Sequence, residues 1–228
     1  GEVTEVTLDL RDRALVDVEF EIDLGARSPA GLNVSLLVPA PEDQEPRFGI
    51  DSRDQIRLGE TDEQGVVRAR CRAAQDLNVQ VSLPHGQRLL HDGEPLSIPF
   101  GPPFADRVSF EMSSLVVDLG PDRVLPRDGV LRLDFAKTDG APFSTHFVRI
   151  PLDDGQVPAE LDGWAAITGT EVTIHGLEPG VWNVTVYASK KDAPRVETQL
   201  PGGRTRFAAK REFELELRAT LRAGQTTR

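Results

Sequence analysis

The chain has 228 residues, 39% of them hydrophobic and 6% aromatic, with a formal net charge of −11. Such acidity argues against nucleic acid and anionic lipid heads as partners, because both are bound largely through Lys and Arg neutralising phosphate. The length allows one large β domain or two of average size, either able to bury a core without disulfides or metal staples.

Strand signals begin at once and recur along the whole length, and no convincing amphipathic helix interrupts them. Val6, Leu8 and Leu10 alternate with Thr7 and Asp9; Val16, Val18, Phe20 and Ile22 alternate with Asp17, Glu19 and Glu21. Leu32, Val34, Leu36 and Val38 follow, and the Pro- and acid-rich stretch from Pro39 to Arg57 reads as a loop. Thr61-Asp62-Glu63-Gln64-Gly65 then punctuates the chain before a strand over Val67–Ala73. There Val67, Ala69, Cys71 and Ala73 oppose Arg68, Arg70 and Arg72, so Cys71, the only cysteine, reads as a small buried hydrophobe. Leu77, Val79, Val81 and Leu83 alternate next. A second loop from Pro84 to Asp106 holds a short edge strand at Leu96-Ser97-Ile98, and Val108, Phe110 and Met112 close the half.

The second half repeats that order. Leu115, Val117 and Leu119 open it; Leu131, Leu133 and Phe135 alternate with Arg132 and Asp134 up to Lys137-Thr138-Asp139-Gly140. Val148, Ile150 and Leu152 follow, then Val172 and Ile174, then Gly176-Leu177-Glu178-Pro179-Gly180. Pro179 presets its own φ and Gly180 suits the positive φ of a type II turn. The strand after it points Trp182, Val184 and Val186 one way and Asn183, Thr185 and Tyr187 the other. Phe213, Leu215 and Leu217 alternate with Glu212, Glu214 and Glu216 to finish. Many short strands with Gly, Pro and Asp punctuation specify an all-β sandwich rather than βαβ units. The expectation is two domains, 1–113 and 114–223, meeting near Ser113-Ser114 with a short joint, and a frayed tail over 224–228.

The run Thr61-Asp62-Glu63-Gln64-Gly65-Val66-Val67-Arg68, with Leu77 to Leu83 and Gly86, resembles the turn–strand motif of carboxypeptidase-regulatory-like domains. These are transthyretin-like (prealbumin-like) sandwiches. Gly176-Leu177-Glu178-Pro179-Gly180-Val181-Trp182-Asn183-Val184 is similar to the corresponding run of that family and of the collagen-adhesin B-type domains, with Trp182 where Tyr is usual. The resemblance implies two consecutive Ig/transthyretin-like antiparallel β-sandwich domains. It further implies a non-catalytic spacer or protein-interaction module in a larger exported or surface bacterial protein, located outside the cytoplasm. The adhesin relatives also imply an internal Lys–Asn or Lys–Asp isopeptide promoted by a buried Glu. Lys137 stands where that Lys would, but Val186 occupies the Glu position and the closing strand has no Asn. Without a carboxyl group to shuttle protons the condensation has no catalyst, so Lys137 reads as a solvated turn residue.

Nothing in the sequence specifies a reaction, a cofactor or a metal. His85, His91, His146 and His175 lack zinc spacing and read as exposed loop residues. Asp51 to Asp54, Pro121-Asp122 and Asp153-Asp154-Gly155 match no calcium loop and read as surface turns. No G-x-S-x-G elbow, selectable carboxylate pair or phosphate loop is present, and a hydrolase remains only as a third reading. The sequons at Asn33 and Asn183 recur by chance and carry no function. The functional alternative is a carbohydrate-binding accessory module, with a polysaccharide partner on Trp164 and Tyr187, although Trp164 is better suited to packing against the sheet than to stacking on a sugar. No apolar run reaches the roughly 18–20 residues that cross a bilayer, so no membrane insertion by this segment is expected. The chain opens on Gly1, which implies an excised or processed form with any targeting segment outside it.

Overall fold

A computed structural model describes residues 15–25, 27–38, 55–91, 93–138, 145–161, 163–199 and 205–228. The chain divides into two compact units, one drawn from 1–82 and 89–110, the other from 83–88 and 111–228. Among the described residues the sole helical element is a 3-10 turn at Ala159–Leu161. The protein is all-β.

In the first unit the strands are β1 (Leu15–Asp23), β2 (Asn33–Leu37), β3 (Gln55–Glu60), β4 (Val66–Arg72) and β5 (Ala74–Ser82). Three more follow: β6 (Arg88–Leu90), β7 (Leu96–Ile98) and β8 (Phe104–Ser109). One sheet is ordered β4-β1-β8; the other runs β3-β2-β5-β6, with β7 also on β5. Period-two burial builds the core. Val16, Val18, Phe20 and Ile22 are buried while Asp17, Glu19 and Glu21 face solvent, and Leu77, Val79 and Val81 of β5 are fully covered. Cys71 lies within this interior, where burial pushes its thiol pKa up.

The Thr61–Gly65 turn shows what its residue types are for. Asp62 Oδ1 accepts from the backbone N of Gln64 (3.0 Å) and of Val66 (2.8 Å), and Arg68 donates to its other oxygen at 3.1 Å. These bonds, the Val66 amide foremost, hold the carboxyl pKa below its ordinary value. Thr61, buried, accepts from Leu32 N at 2.9 Å and donates to the Pro29 carbonyl, tying the turn to the start of β2. Gly65 is obligatory here: its φ is +82°, and a Cβ would lie 2.5 Å from Pro29 Cγ and 2.9 Å from the Ile22 carbonyl oxygen.

The second unit contains β9 (Ser113–Asp118), β10 (Asp128–Lys137), β11 (Thr145–Asp153), β12 (Ala165–Thr168) and β13 (Glu171–Leu177). It continues with β14 (Gly180–Lys190), β15 (Arg195–Gln199), β16 (Thr205–Ala209), β17 (Phe213–Leu221) and β18 (Thr226–Thr227). Its sheets are ordered β11-β10-β14-β17 and β12-β13-β9-β18, and β15 and β16 form a separate hairpin. Leu131, Leu133, Val148, Ile150, Val172, Ile174, Val184 and Val186 meet between the sheets, and Trp182 fills one end beside Phe135.

Both units pair their strands in one order. The first strand takes the fourth or its counterpart on one side and the last on the other: β4-β1-β8 in one, β13-β9-β18 in the next. The sheets are built on antiparallel pairs, and the last described strand of each unit adds to the first described one in parallel.

Several expectations change. The strand over Val6–Leu10 and most of the loop after Pro39 lie outside the described residues, while β3 occupies that loop's end. The stretch Pro84–Asp106 holds β6 and the start of β8 besides the expected strand β7. The tail does not fray: Ser114 N donates to Gln225 O and Gly224 N to Met112 O, and Thr226 and Thr227 pair with β9. Gly176 (φ +76°), rather than the Pro-Gly step alone, makes the irregularity before β14, at a register shift between His175 and Leu177.

Replacing Gly65 by Ala imposes both the disfavoured φ and the clash with Pro29, and is expected to destabilise the first unit by about 3 kcal/mol. Urea denaturation of wild type and Gly65→Ala measures it; equal midpoints would show that the turn is built differently.

Candidate functional site

The outer face of the sheet β11-β10-β14-β17 carries a row of aromatic and cationic side chains in mutual contact. Its residues arrive there by strand parity. Arg132 and Tyr187 are register partners on β10 and β14, Asp134 faces Phe147 of β11, and Tyr187 faces Glu214 of β17. The inner residues of the same strands are buried, so these alternates are forced outward.

A continuous stack results. The Arg211 guanidinium carbon lies 3.9 Å from the centre of the Tyr187 ring, Arg132 lies 5.9 Å from the same ring, and Arg132 also covers Phe147 at 4.6 Å. The planar guanidinium is suited to such stacking. Arg132 Nε donates to Asp134 Oδ1 at 2.6 Å, Tyr187 donates to Asp134 Oδ2 at 3.2 Å, and Arg211 pairs with Glu214 at 2.5 Å. Burial first, then the Asp134 carboxylate, raise the Tyr187 phenol pKa above its ordinary value. Phe147 remains 46% exposed at the end of the row.

Of the two proposed sugar platforms, Tyr187 therefore does face outward, with a ring already covered on one side by Arg211. Trp164 does not: it is 7% exposed, with its ring edge against His85 and against Gly176, where a Cβ would come within 2.7 Å of Cζ3. Stacking on a sugar would require uncovering it.

The histidines are not exposed loop residues. His85 is 1% exposed and sits in a three-residue turn, with Leu83 N donating to Gln87 O at 2.8 Å and Gly86 at φ +94°. Its Nε2–H donates to the His175 carbonyl at 2.9 Å, and its own carbonyl accepts from Arg149 N at 2.8 Å. A carbonyl can only accept, so neutral His85 carries its proton on Nε2. Burial depresses its pKa below 6.5 despite that bond. His175 Nδ1 lies 2.7 Å from Ser114 Oγ, His91 packs edge-on against Phe110, and His146 Nε2 lies 3.3 Å from Glu178. Lys137, expected to be solvated, is half-buried at the end of β10 with Nζ 5.3 Å over the Trp182 ring. The signal for this was available, since β10 parity puts Lys137 on the inward side with Phe135. Nothing local in the sequence marks the burial of His85, which depends on where its turn lands.

Among the described residues no group of three or more His, Cys, Asp or Glu is arranged to hold a metal ion, and no helix is long and apolar enough to cross a membrane. A hollow of about 530 Å³ on the first unit's β4-β1-β8 sheet is bordered by charges already paired, Asp17–Arg70 at 3.0 Å and Glu19–Arg68 at 2.7 Å.

No protein-family model matches the chain, and no curated protein matches it. Among solved structures it is similar to the minor pilin GBS52 of Streptococcus agalactiae, at 11% identity and TM-score 0.31 over 92% of each chain. It is also similar to the major pilin of Streptococcus pyogenes, at 11% identity and TM-score 0.25 over 94% of this chain and 96% of that one. The shaft pilin SpaA of Lactobacillus rhamnosus GG, as a double mutant, matches at 8% identity and TM-score 0.27 over 93% and 96%. Likenesses this loose assign no residue a role.

Burial of His85 is expected to make the second unit acid-sensitive. The folded state binds its proton less readily than the unfolded chain, so its stabilising contribution is complete above about pH 6.5 and is lost as pH falls through the depressed folded value. Melting temperatures between pH 7.5 and 5 are expected to fall in wild type and to vary less in His85→Gln. An identical slope in the variant would remove His85 as the cause.

Proposed function

We propose that the chain is a non-catalytic, protein-interaction module of a larger surface-exposed protein, built from two successive sandwich domains of one plan. The observation that carries this reading is the row Phe147, Arg132, Tyr187 and Arg211 on the outer sheet face. Tyr, Phe and Arg are the side chains enriched at the centres of protein interfaces, where rigid rings and stacked guanidinium groups supply contact area at low entropic cost. Here they are held in place before any partner arrives, by Asp134 and Glu214. The shared strand-pairing order supports the division into two domains of like plan. The resemblance of the two turn–strand motifs supports an extracytoplasmic spacer role.

The polysaccharide reading keeps Tyr187 as its one outward aromatic, but the cover of Arg211 on that ring and the burial of Trp164 weigh against a stacking platform. A photoreactive phenylalanine analogue placed at Phe147 in the full-length protein of the producing cell tests the two together. One protein adduct, absent when the analogue replaces the 78%-exposed Val124, is the expected result. A glycan adduct specific to position 147 would transfer the function to the second reading. Equal labelling from both positions would overturn the interaction surface.

A further inference from the structure

The two outer strands of the sheet β11-β10-β14-β17 are finished differently. On β11 the inward residues Val148, Ile150 and Leu152 are fully covered, and the strand's edge is met by the His85 carbonyl, which accepts from Arg149 N. On β17 the inward residues Phe213, Leu215 and Leu217 pack on the same core yet stay half-buried. Burial is complete again only at Ala219 and Leu221, where Thr227 of β18 donates to the Thr220 carbonyl at 2.8 Å. Among the described residues β17 is hydrogen-bonded as a strand to β14 alone. In an antiparallel pair alternate residues turn both N–H and C=O away from the partner. From Phe213 to Leu217 the sheet thus ends in a row of main-chain donors and acceptors above a strip of incompletely covered apolar side chains.

We propose that this Phe213–Leu217 edge docks an extended segment of another protein, added as a fifth strand, apolar at alternate positions and basic at those between. Main-chain pairing would supply affinity, and the apolar alternates would cover Leu215 and its neighbours. The charge comes from the outward residues. Glu214 and Glu216 are exposed on β17, and Glu216 has no cation partner among the described residues. Side chains directly opposite each other on paired strands interact, and opposite charges there are favourable. Acidic residues on an edge also exclude acidic strands, so the same feature discourages a second copy of a chain with net charge −11. The edge adjoins the Phe147 row, because Glu214 pairs with Arg211 of that row, so the free charge it offers a partner is that of Glu216.

The test uses the intact chain and a fluorescein-labelled peptide of about nine residues alternating Lys and Val, long enough to span the edge. Saturable binding in the micromolar range is expected, with slowed amide exchange confined to residues 213–218. N-methylation of alternate peptide residues in one frame is expected to weaken binding at least tenfold, and in the other frame to leave it nearly unchanged. Leu215→Lys should weaken it comparably. Because that variant also thins the core, the methylation frames decide the matter without it. Absence of saturable binding, indifference to both frames, or equal binding of the Glu/Val analogue would overturn the proposal. So would concentration-dependent self-association of the chain that protects the same residues, since the edge would then serve a second copy.

Discussion

Burial at alternate residues in the central strands is the constraint from which the rest of this structure follows. Phe20 in β1, Val79 and Val81 in β5, Leu131 and Leu133 in β10 and Val186 in β14 are all essentially inaccessible. Each such side chain contributes roughly 1.5–3 kcal/mol relative to exposure, far more than any surface pair in the molecule. Once those residues are inside, a one-residue shift in pairing would put them in water and bring Asp, Glu and Arg inside. Register is thereby locked, and with it the identity of every outward neighbour.

The outer faces show how differently that locked register can be used. On β1 and β4 it brings acids opposite arginines, giving Glu19–Arg68 and Asp17–Arg70, while Arg107 of β8 reaches Glu21 and Asp23. All these groups but the half-buried Asp23 are exposed, and exposed ion pairs add little stability. Their effect is on specificity: a face whose charges answer one another offers little to a charged partner. On β10 and β14 the outward residues are aromatic and cationic instead. Arg132 is shared between Phe147, Tyr187 and Asp134, so its fork is oriented while apolar ring surface stays in contact with solvent.

The alternation of β1, β4, β5, β10, β14 and β17 was legible from the sequence because period two is a local property. So was the turn at 61–65, whose Asp and Gly residues have fixed stereochemical uses. What was not legible depends on where a segment lands. His85 follows Pro84 in a turn that reads as exposed, and only the acceptor at His175 and the ring of Trp164 show why the imidazole is enclosed. The burial of Trp164 depends in turn on Gly176, where any side chain would occupy the space of the indole. The strand β18 is two residues long and has no periodicity to detect; it exists because β9 offers an edge. Tyr187 could be placed on an outer face by parity, but its partners are Arg132, from a strand far earlier in the chain, and Arg211, from the connection just before β17, and bringing them together requires the pairing itself.

Edges are the remaining degree of freedom once faces are assigned, and a sandwich has to dispose of each one. The second unit covers one with a turn whose buried imidazole is neutral, at the expense of acid tolerance. It covers part of another with its own last residues. Among the described residues no strand but β14 pairs with the stretch beside Leu215, which is half-buried and flanked by exposed glutamates. A guard of charge is compatible with monomeric behaviour only while the approaching strand is acidic or neutral, because the same carboxylates attract a basic one. An edge protected by charge alone is therefore selective rather than closed, and in this chain selectivity at β17 is a property of two side chains, Glu214 and Glu216, set over an apolar strip that the fold itself does not finish covering.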